Sequence, residues 1–399
     1  MSNIVLLSTV YLEKPSANGI CARNLVKELK KFGHTVDVVC YKGKNSVVQY
    51  SDDIHEIEEK KQPKHGPIGK ITRIVKRIPG SLTKDACKLL DQSLVNSYYE
   101  ELCKLNDIRE IDAVVAMFFP LEGLQAACSF KNRFPHIKTL VYELDSVGDG
   151  IASSRRQLYY NKIYERWLKE AYSKIDSIIV MESHKSYWEN TFCGFRNKVN
   201  YADIPVLVRR DERNTEPIDR YSMLYSGIIE KQYRSPTYLL DTLICLKDKI
   251  EFTFKFFSKG DCEEEIELAS QKYQGIKNCG FVTPEELDEQ IEKSEFLVSI
   301  GNSISRSVPS KIISYISCGK PIIHFSLQTD DVCAEYLKNY SASLIVDQND
   351  AVEYSAERVY QFLKNNRGVR IAFDEVRHFF VKNDPFYSAQ LIHNSLELK

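Results

Sequence analysis

A chain of 399 residues is long enough for two domains of ordinary size, each with its own core. Hydrophobic residues at 43% and charged residues at 27% give the balance of a folded globular protein, which argues against a disordered chain. No stretch approaches the roughly 18 consecutive apolar residues that span a bilayer, and a net charge of −1 argues against a generally basic, nucleic-acid-binding surface.

The N-terminus has neither the basic region nor the long apolar run of a secretory signal, and residues 4–9 read as a core strand. A loop, 11–18, leads to a helix over 19–32, in which Leu25, Val26, Leu29 and Phe32 recur at helical spacing and Gly33 supplies the stop. A second strand, 35–41, completes a βαβ unit, whose right-handed crossover implies a parallel sheet. Between Lys60 and Lys84 eight basic residues occur with no acidic one, and Ile71, Ile74, Val75 and Ile78 fall on one helical face. Such a segment suits a helix lying on an anionic membrane surface, or equally one docked on its own domain by those isoleucines. It lacks interleaved aromatics, so no nucleic-acid partner is expected. Further strands are expected at 113–117, 139–143 and 177–181.

The polar stretch 208–220 reads as a linker, after which the alternation restarts. Strands are expected at 222–225, 252–257, 276–279, 296–300, 321–325 and 343–346, with amphipathic helices such as 236–247 and 284–293 between them. Two βα series predict an α/β chain with a Rossmann-like domain over 1–207 and another over 208–382. A C-terminal helix within 383–399 is expected to return to the first domain. Sheets of this kind bind ligands beyond the carboxyl ends of their strands, so a cleft between two facing sheets is the expected substrate site. The eleven cysteines show no CxxC pairing and the histidines no zinc spacing, which predicts reduced thiols, a cytoplasmic protein and no metal.

Four places carry groups suited to chemistry. Pro15-Ser16-Ala17-Asn18-Gly19 opens a helix and is either an anion-holding turn or a plain helix start; it is not GxGxxG, so a nicotinamide or flavin cofactor is not expected. After the strand ending at Gly227, a short loop carries Lys231 and Arg234, two cations suited to a diphosphate. Gly301-Asn302 follows a buried strand, and Pro309-Ser310 starts a helix with Lys311 in its first turn. A cation there opposes the helix dipole unless an anion is shared, a local conflict that points to function. Asp145 ends a strand of the first domain, where an isolated acidic residue is commonly a helix cap.

In these segments the chain resembles the retaining GT-B glycosyltransferases, specifically the family 4 group of capsule and polysaccharide assembly. The resemblance rests on Asn18-Gly19 with Gly33-His34-Thr35-Val36, on Tyr225-Ser226-Gly227 with Tyr233-Arg234-Ser235-Pro236, and on Gly280-Phe281-Val282-Thr283-Pro284-Glu285-Glu286-Leu287. Ser310-Lys311-Ile312 with Cys318-Gly319-Lys320-Pro321-Ile322-Ile323 carries it most strongly. It implies a hexosyltransferase that moves a sugar from a UDP-linked donor to a glycan or lipid-linked glycan, peripheral to the inner membrane face and without a metal. Asn18 and Gly19 would approach the donor or acceptor, and Arg234 and Lys311 would neutralise the diphosphate. Gly227, Lys231, Asn302 and Ser310 would line its site, Phe281 and Val282 would lie beside the base, and Ser314 would face the ribose. Asp145 would lie on the acceptor side. One departure stands out: the family's two glutamates, eight positions apart before Gly-Lys-Pro, are Arg306 and Ser314 here. Neither accepts hydrogen bonds as a carboxylate does, so a different donor grip or a non-catalytic GT-B subunit are both open. A GT-B epimerase would require acidic catalytic residues, of which no clear set is visible.

Overall fold

The structure is a computed structural model that describes residues 1–11, 17–41, 53–57, 85–145, 155–210, 221–302 and 310–397. The basic segment 60–84, most of the linker and Arg306 lie outside the described residues. The chain divides into two units, Met1–Val206 with Lys382–Lys399, and Leu207–Val381. Among the described residues no helix is long and apolar enough to cross a membrane.

The first unit holds seven strands: β1 Asn3–Val10, β2 Thr35–Tyr41, β3 Ile54–Ile57, β4 Ala113–Met117, β5 Lys138–Glu143, β6 Ser177–Met181 and β7 Val199–Ala202. They form one sheet in the order β3-β2-β1-β4-β5-β6-β7, parallel at every pairing. All five positions of β4 and of β6 are buried, because helices cover both faces and leave no solvated side. These helices are α1 Ala17–Lys31, α2 Gln92–Ile108, α3 Leu121–Arg133, α4 Arg155–Lys174 and the short α5 Lys185–Thr191. In α1 the buried Cys21, Ala22, Leu25, Val26 and Leu29 repeat every three or four residues, and Gly33 at φ +83 ends the run.

The C-terminal helix, Pro385–Glu397, packs on α1 within this unit. Phe32 stacks on Phe386 at 5.2 Å and on His393 at 4.9 Å between ring centroids. The buried hydroxyls of Tyr142 and Ser388 lie 2.9 Å apart, and Lys382 pairs with Glu182 at 2.6 Å.

The second unit has six strands: β8 Ser222–Ile229, β9 Thr253–Gly260, β10 Ile276–Asn278, β11 Phe296–Ile300, β12 Ile322–Ser326 and β13 Ser343–Asp347. Their order is β10-β9-β8-β11-β12-β13, again parallel throughout. The helices are α6 Thr237–Leu246, α7 Glu263–Lys272, α8 Pro284–Lys293, α9 Ser310–Ile316, α10 Val332–Leu337, α11 Val352–Asn365 and α12 Phe373–Phe379. Proline at the first position and a Thr283–Glu286 capping box start α8. Gly319, at φ +66, ends α9; a Cβ there would stand 2.3 Å from the carbonyl oxygen of Ile371, so only glycine allows this approach.

One expectation needs correction. Gly227 does not end a strand: β8 continues through it to Ile229, paired in register with β9 up to Gly260. The chain turns only at 230–234, where Glu230 and Arg234 form an antiparallel bridge. Two short strands, β3 and β7, were not anticipated.

Candidate functional site

In each sheet the strand order reverses beside the first strand, between β1 and β4 and between β8 and β11. Connections leave such a pair toward opposite faces, which opens a crevice beyond the carboxyl ends. In the second unit this crevice is a cavity of about 380 Å³. Tyr225 to Ile228 from β8, Lys259 from β9 and Ser299 and Ile300 from β11 line it, joined by Arg234, Phe281, Lys311, Ile312 and Cys333.

Its electrostatics are one-sided. Arg234, Lys259 and Lys311 are in the lining and no carboxylate is; none of the three joins an ion pair among the described residues. Lys311, in the first turn of α9, donates from Nζ to the carbonyl oxygen of Ser226. Burial, reinforced by the neighbouring Arg234 guanidinium, pushes its ammonium down to about 8. The turn after β8 folds Arg234 back over the strand end, its amide donating to the Glu230 carbonyl oxygen at 2.7 Å. One guanidinium nitrogen reaches the Ile228 carbonyl oxygen at 3.4 Å, while the buried Nε finds no hydrogen-bond partner among the described residues. Two cations held together without a counter-ion are costly, and an anion in the cavity relieves that cost.

Gly227 makes room for this arrangement. Its φ is +143, and a Cβ would stand 2.9 Å from the Lys311 Nζ and 3.2 Å from the Tyr225 hydroxyl. Gly227→Ala is therefore expected to fold, to lose about 1–3 kcal/mol of stability through backbone strain, and to bind pyrophosphate about tenfold more weakly as the ammonium is displaced. Urea unfolding and calorimetry would check both; wild-type affinity would mean that the ammonium position is not set there. At the cavity's rim Phe281 is 71% exposed, with the Lys259 ammonium 4.5 Å from its ring centroid.

Of the residues singled out in the sequence, Gly227, Arg234, Phe281 and Lys311 come together in this cavity. Lys231 does not: its exposed ammonium pairs with Glu265 at 2.9 Å. Val282, Asn302, Ser310 and Ser314 are outside the lining, and the Ser314 hydroxyl donates to the Ser310 carbonyl oxygen one turn back. Lys259, Ser299 and Cys333 were not foreseen.

Asn18, Gly19 and Asp145 belong to the first unit. Asn18 and Gly19 fall inside the first turn of α1, which starts at Ala17 rather than Gly19. Asp145 follows β5 and is half-buried; burial raises its carboxyl above the usual range, partly offset by His184. Glu143, at the end of β5, is 3% exposed, and burial raises it far above the carboxylate range. Its Oε1 has no hydrogen-bond partner among the described residues. The next described helix begins only at Arg155, so no described helix uses Asp145 as a cap.

Residues 220–365 match the family model described as Glycosyl transferases group 1, a span that takes in all six strands of the second unit. Among solved structures, the chain is similar to sucrose-phosphate synthase of Thermosynechococcus elongatus, with a TM-score of 0.60, 14% identity and 99% of each chain covered. It is similar to Anabaena HepE in complex with UDP and glucose, at TM-score 0.57, 11% identity and 99% of each chain. It is also similar to a putative UDP-N-acetylglucosamine 2-epimerase of Listeria monocytogenes, at TM-score 0.60 and 12% identity, covering 99% of this chain and 95% of that one. No curated protein matches the chain in sequence. The architecture is GT-B, two parallel-sheet Rossmann-like domains in one chain. The chain thus has a fold that it shares with glycosyltransferases, and its second unit holds the region that matches the group 1 glycosyl transferase model.

Proposed function

We propose that the protein transfers a sugar from a UDP-linked donor to a glycan or lipid-linked glycan acceptor, with retention of configuration, as part of polysaccharide assembly at the inner membrane face. The observation that carries this reading is the cavity at the β8–β11 switch point, with three cations, no carboxylate and an exposed phenylalanine at the rim. A nucleoside diphosphate has the matching chemistry: the base stacks on Phe281 and the diphosphate meets Arg234, Lys259 and Lys311. The HepE neighbour, described with UDP and glucose, supports this choice of donor.

Breaking the bond between the sugar and the diphosphate places growing negative charge on the leaving oxygen. Lys311 and Arg234, fixed before the ligand arrives, stabilise that charge without reorganisation, and the reaction requires no metal when they supply it. Asp145, which follows β5, faces the acceptor in this reading, and the basic segment 60–84 meets the anionic membrane surface.

A second reading, a GT-B subunit that binds a partner glycosyltransferase or a glycan without turnover, is favoured by one observation. Ser314 stands where the family resemblance calls for a glutamate and spends its hydroxyl on its own helix. Calorimetry against UDP, GDP and their sugars, followed by product analysis, tests both. UDP binding with sugar transfer supports the enzyme. Binding without transfer or hydrolysis supports the subunit, and no nucleotide binding overturns the donor site.

A further inference from the structure

Behind the cavity lies a chain of three side chains drawn from neighbouring elements. Ser299, which lines the cavity from β11, has its Oγ 2.5 Å from Nδ1 of His324 on the adjacent strand β12. His324 is 0% exposed, and its Nε2 lies 2.8 Å from Oδ2 of Asp331. Asp331 precedes α10, and its Oδ1 accepts the amides of Cys333 and Ala334 at 2.8 and 3.3 Å. Its Oδ2 also accepts from the Ser326 hydroxyl at 3.1 Å. We propose that Ser299 is a hydrogen-bond donor to the anion in this cavity, and that His324 and Asp331 position it by coupling anion binding to uptake of one proton on the buried imidazole. The proposal rests on reading the cavity as a diphosphate site.

The carboxylate of Asp331, held ionised by His324 and two amides against the opposing effect of burial, fixes the imidazole with its Nε2–H toward Oδ2. In the neutral ring Nδ1 can only accept, so the single Ser299 proton points at it and away from the cavity. When a proton from solvent reaches Nδ1, the ring donates to Ser299 Oγ instead. The hydroxyl hydrogen is then free to turn into the cavity, and no bond behind it is lost.

Which state prevails depends on the charges facing the imidazole. Asp331 favours the cation. From the cavity side Arg234, Lys259 and Lys311 oppose it. The Cys333 thiol, whose ligand atom lies within 4.8 Å of the imidazole and the carboxylate, is held neutral, its pKa pushed up to about 12 by burial. The register partner on β13, Ile345, adds no charge. A diphosphate brings negative charge against the three cations, removes their opposition and so favours the protonated ring.

The test is calorimetry of UDP and of pyrophosphate at pH 7 in two non-phosphate buffers of different ionisation enthalpy, on the full chain. Wild type is expected to take up at least half a proton more per ligand than His324→Gln, which keeps a polar group but cannot charge. Ser299→Ala, although it leaves Nδ1 of His324 unpaired and so melts lower, should at a temperature where it stays folded bind both ligands about tenfold more weakly, and Ser299→Thr should restore affinity. Equal proton uptake in wild type and His324→Gln, or wild-type affinity in Ser299→Ala, overturns the relay while leaving the diphosphate site intact. Absence of any UDP or pyrophosphate binding by the wild type overturns the site and the relay together.

Discussion

Lys311→Met is expected to bind UDP at least a hundredfold more weakly than the wild type and, without ligand, to unfold at a higher temperature. Both effects follow from one arrangement. The ammonium is held in the cavity wall by a single backbone carbonyl, that of Ser226, with a guanidinium as its nearest charge. Hydrogen bonds between charged partners contribute about 1.5–3 kcal/mol, and a hundredfold loss corresponds to about 2.7 kcal/mol. For the empty protein the sign is the reverse. The folded-state value of about 8 lies below the ordinary 10.5. At pH 7 the lysine is charged in both folded and unfolded states, so the full cost of burying the charge is present. At about 1.4 kcal/mol per unit that cost is at most about 3–4 kcal/mol. As pH rises from 8 to 10.5 the folded lysine becomes neutral while the unfolded one stays charged, and the cost disappears. Partial exposure and the lost bond to Ser226 reduce the net gain to about 1 kcal/mol, a melting shift of roughly 2–4 °C. The gap between variant and wild type should shrink at pH 10. A variant that melts lower at pH 7, or that binds UDP normally, would falsify the assignment of Lys311.

The contrast between what was legible in the sequence and what was not follows the range of the interactions. β4 and β6 were visible because a strand buried on both faces must be apolar at every position. β3 and β7 were not. Each is four residues long, sits at a sheet edge, and buries only one of its positions, so no pattern marks it. Gly227 looked like a strand end because glycine commonly is one; here it continues the strand and keeps the space beside Lys311 open. Lys311 could be picked out since a cation in a helix's first turn breaks a local rule. Lys231 and Arg234 looked equivalent in sequence. Glu265, 34 residues on, takes Lys231 away from the cavity, and nothing local foretells that. Ser299 and His324 meet only because β11 and β12 are neighbours in register, a contact between residues 25 apart that periodicity does not report.

Lys320→Met is expected to cost at least 3 kcal/mol of stability, although Lys320 is nine residues from Lys311 and burial, aided by Arg370, also lowers it to about 8. The difference lies in what the ammonium meets. Lys320 is 1% exposed and its Nζ donates to the carbonyl oxygens of Ile291, Glu292 and Ser294 at 2.5, 2.7 and 2.8 Å. The Glu292 carbonyl lies in the last turn of α8, at the negative pole of its dipole, while the Ile291 carbonyl also accepts the Ser294 amide at 3.2 Å. The Glu292 carboxylate lies 3.9 Å away. Three short bonds use all the hydrogens an ammonium has, so this lysine has none left for a ligand, whereas Lys311 has two. Methionine fills the volume but leaves buried acceptors unpaired, and removal of one partner from such a network costs about 3–5 kcal/mol. Urea unfolding at pH 7 measures it, and a loss below 1 kcal/mol would mean that the α8 carbonyls find other donors. Under conditions where the variant stays folded, its affinity for UDP should remain within about threefold of wild type, since Lys320 is not in the cavity lining. A large loss of affinity in folded Lys320→Met would instead join this residue to the donor site. Two lysines with the same lowered titration are thus expected to divide by hydrogen-bond count: the saturated one to hold the fold, and the unsaturated one, at a cost in stability, to meet the ligand.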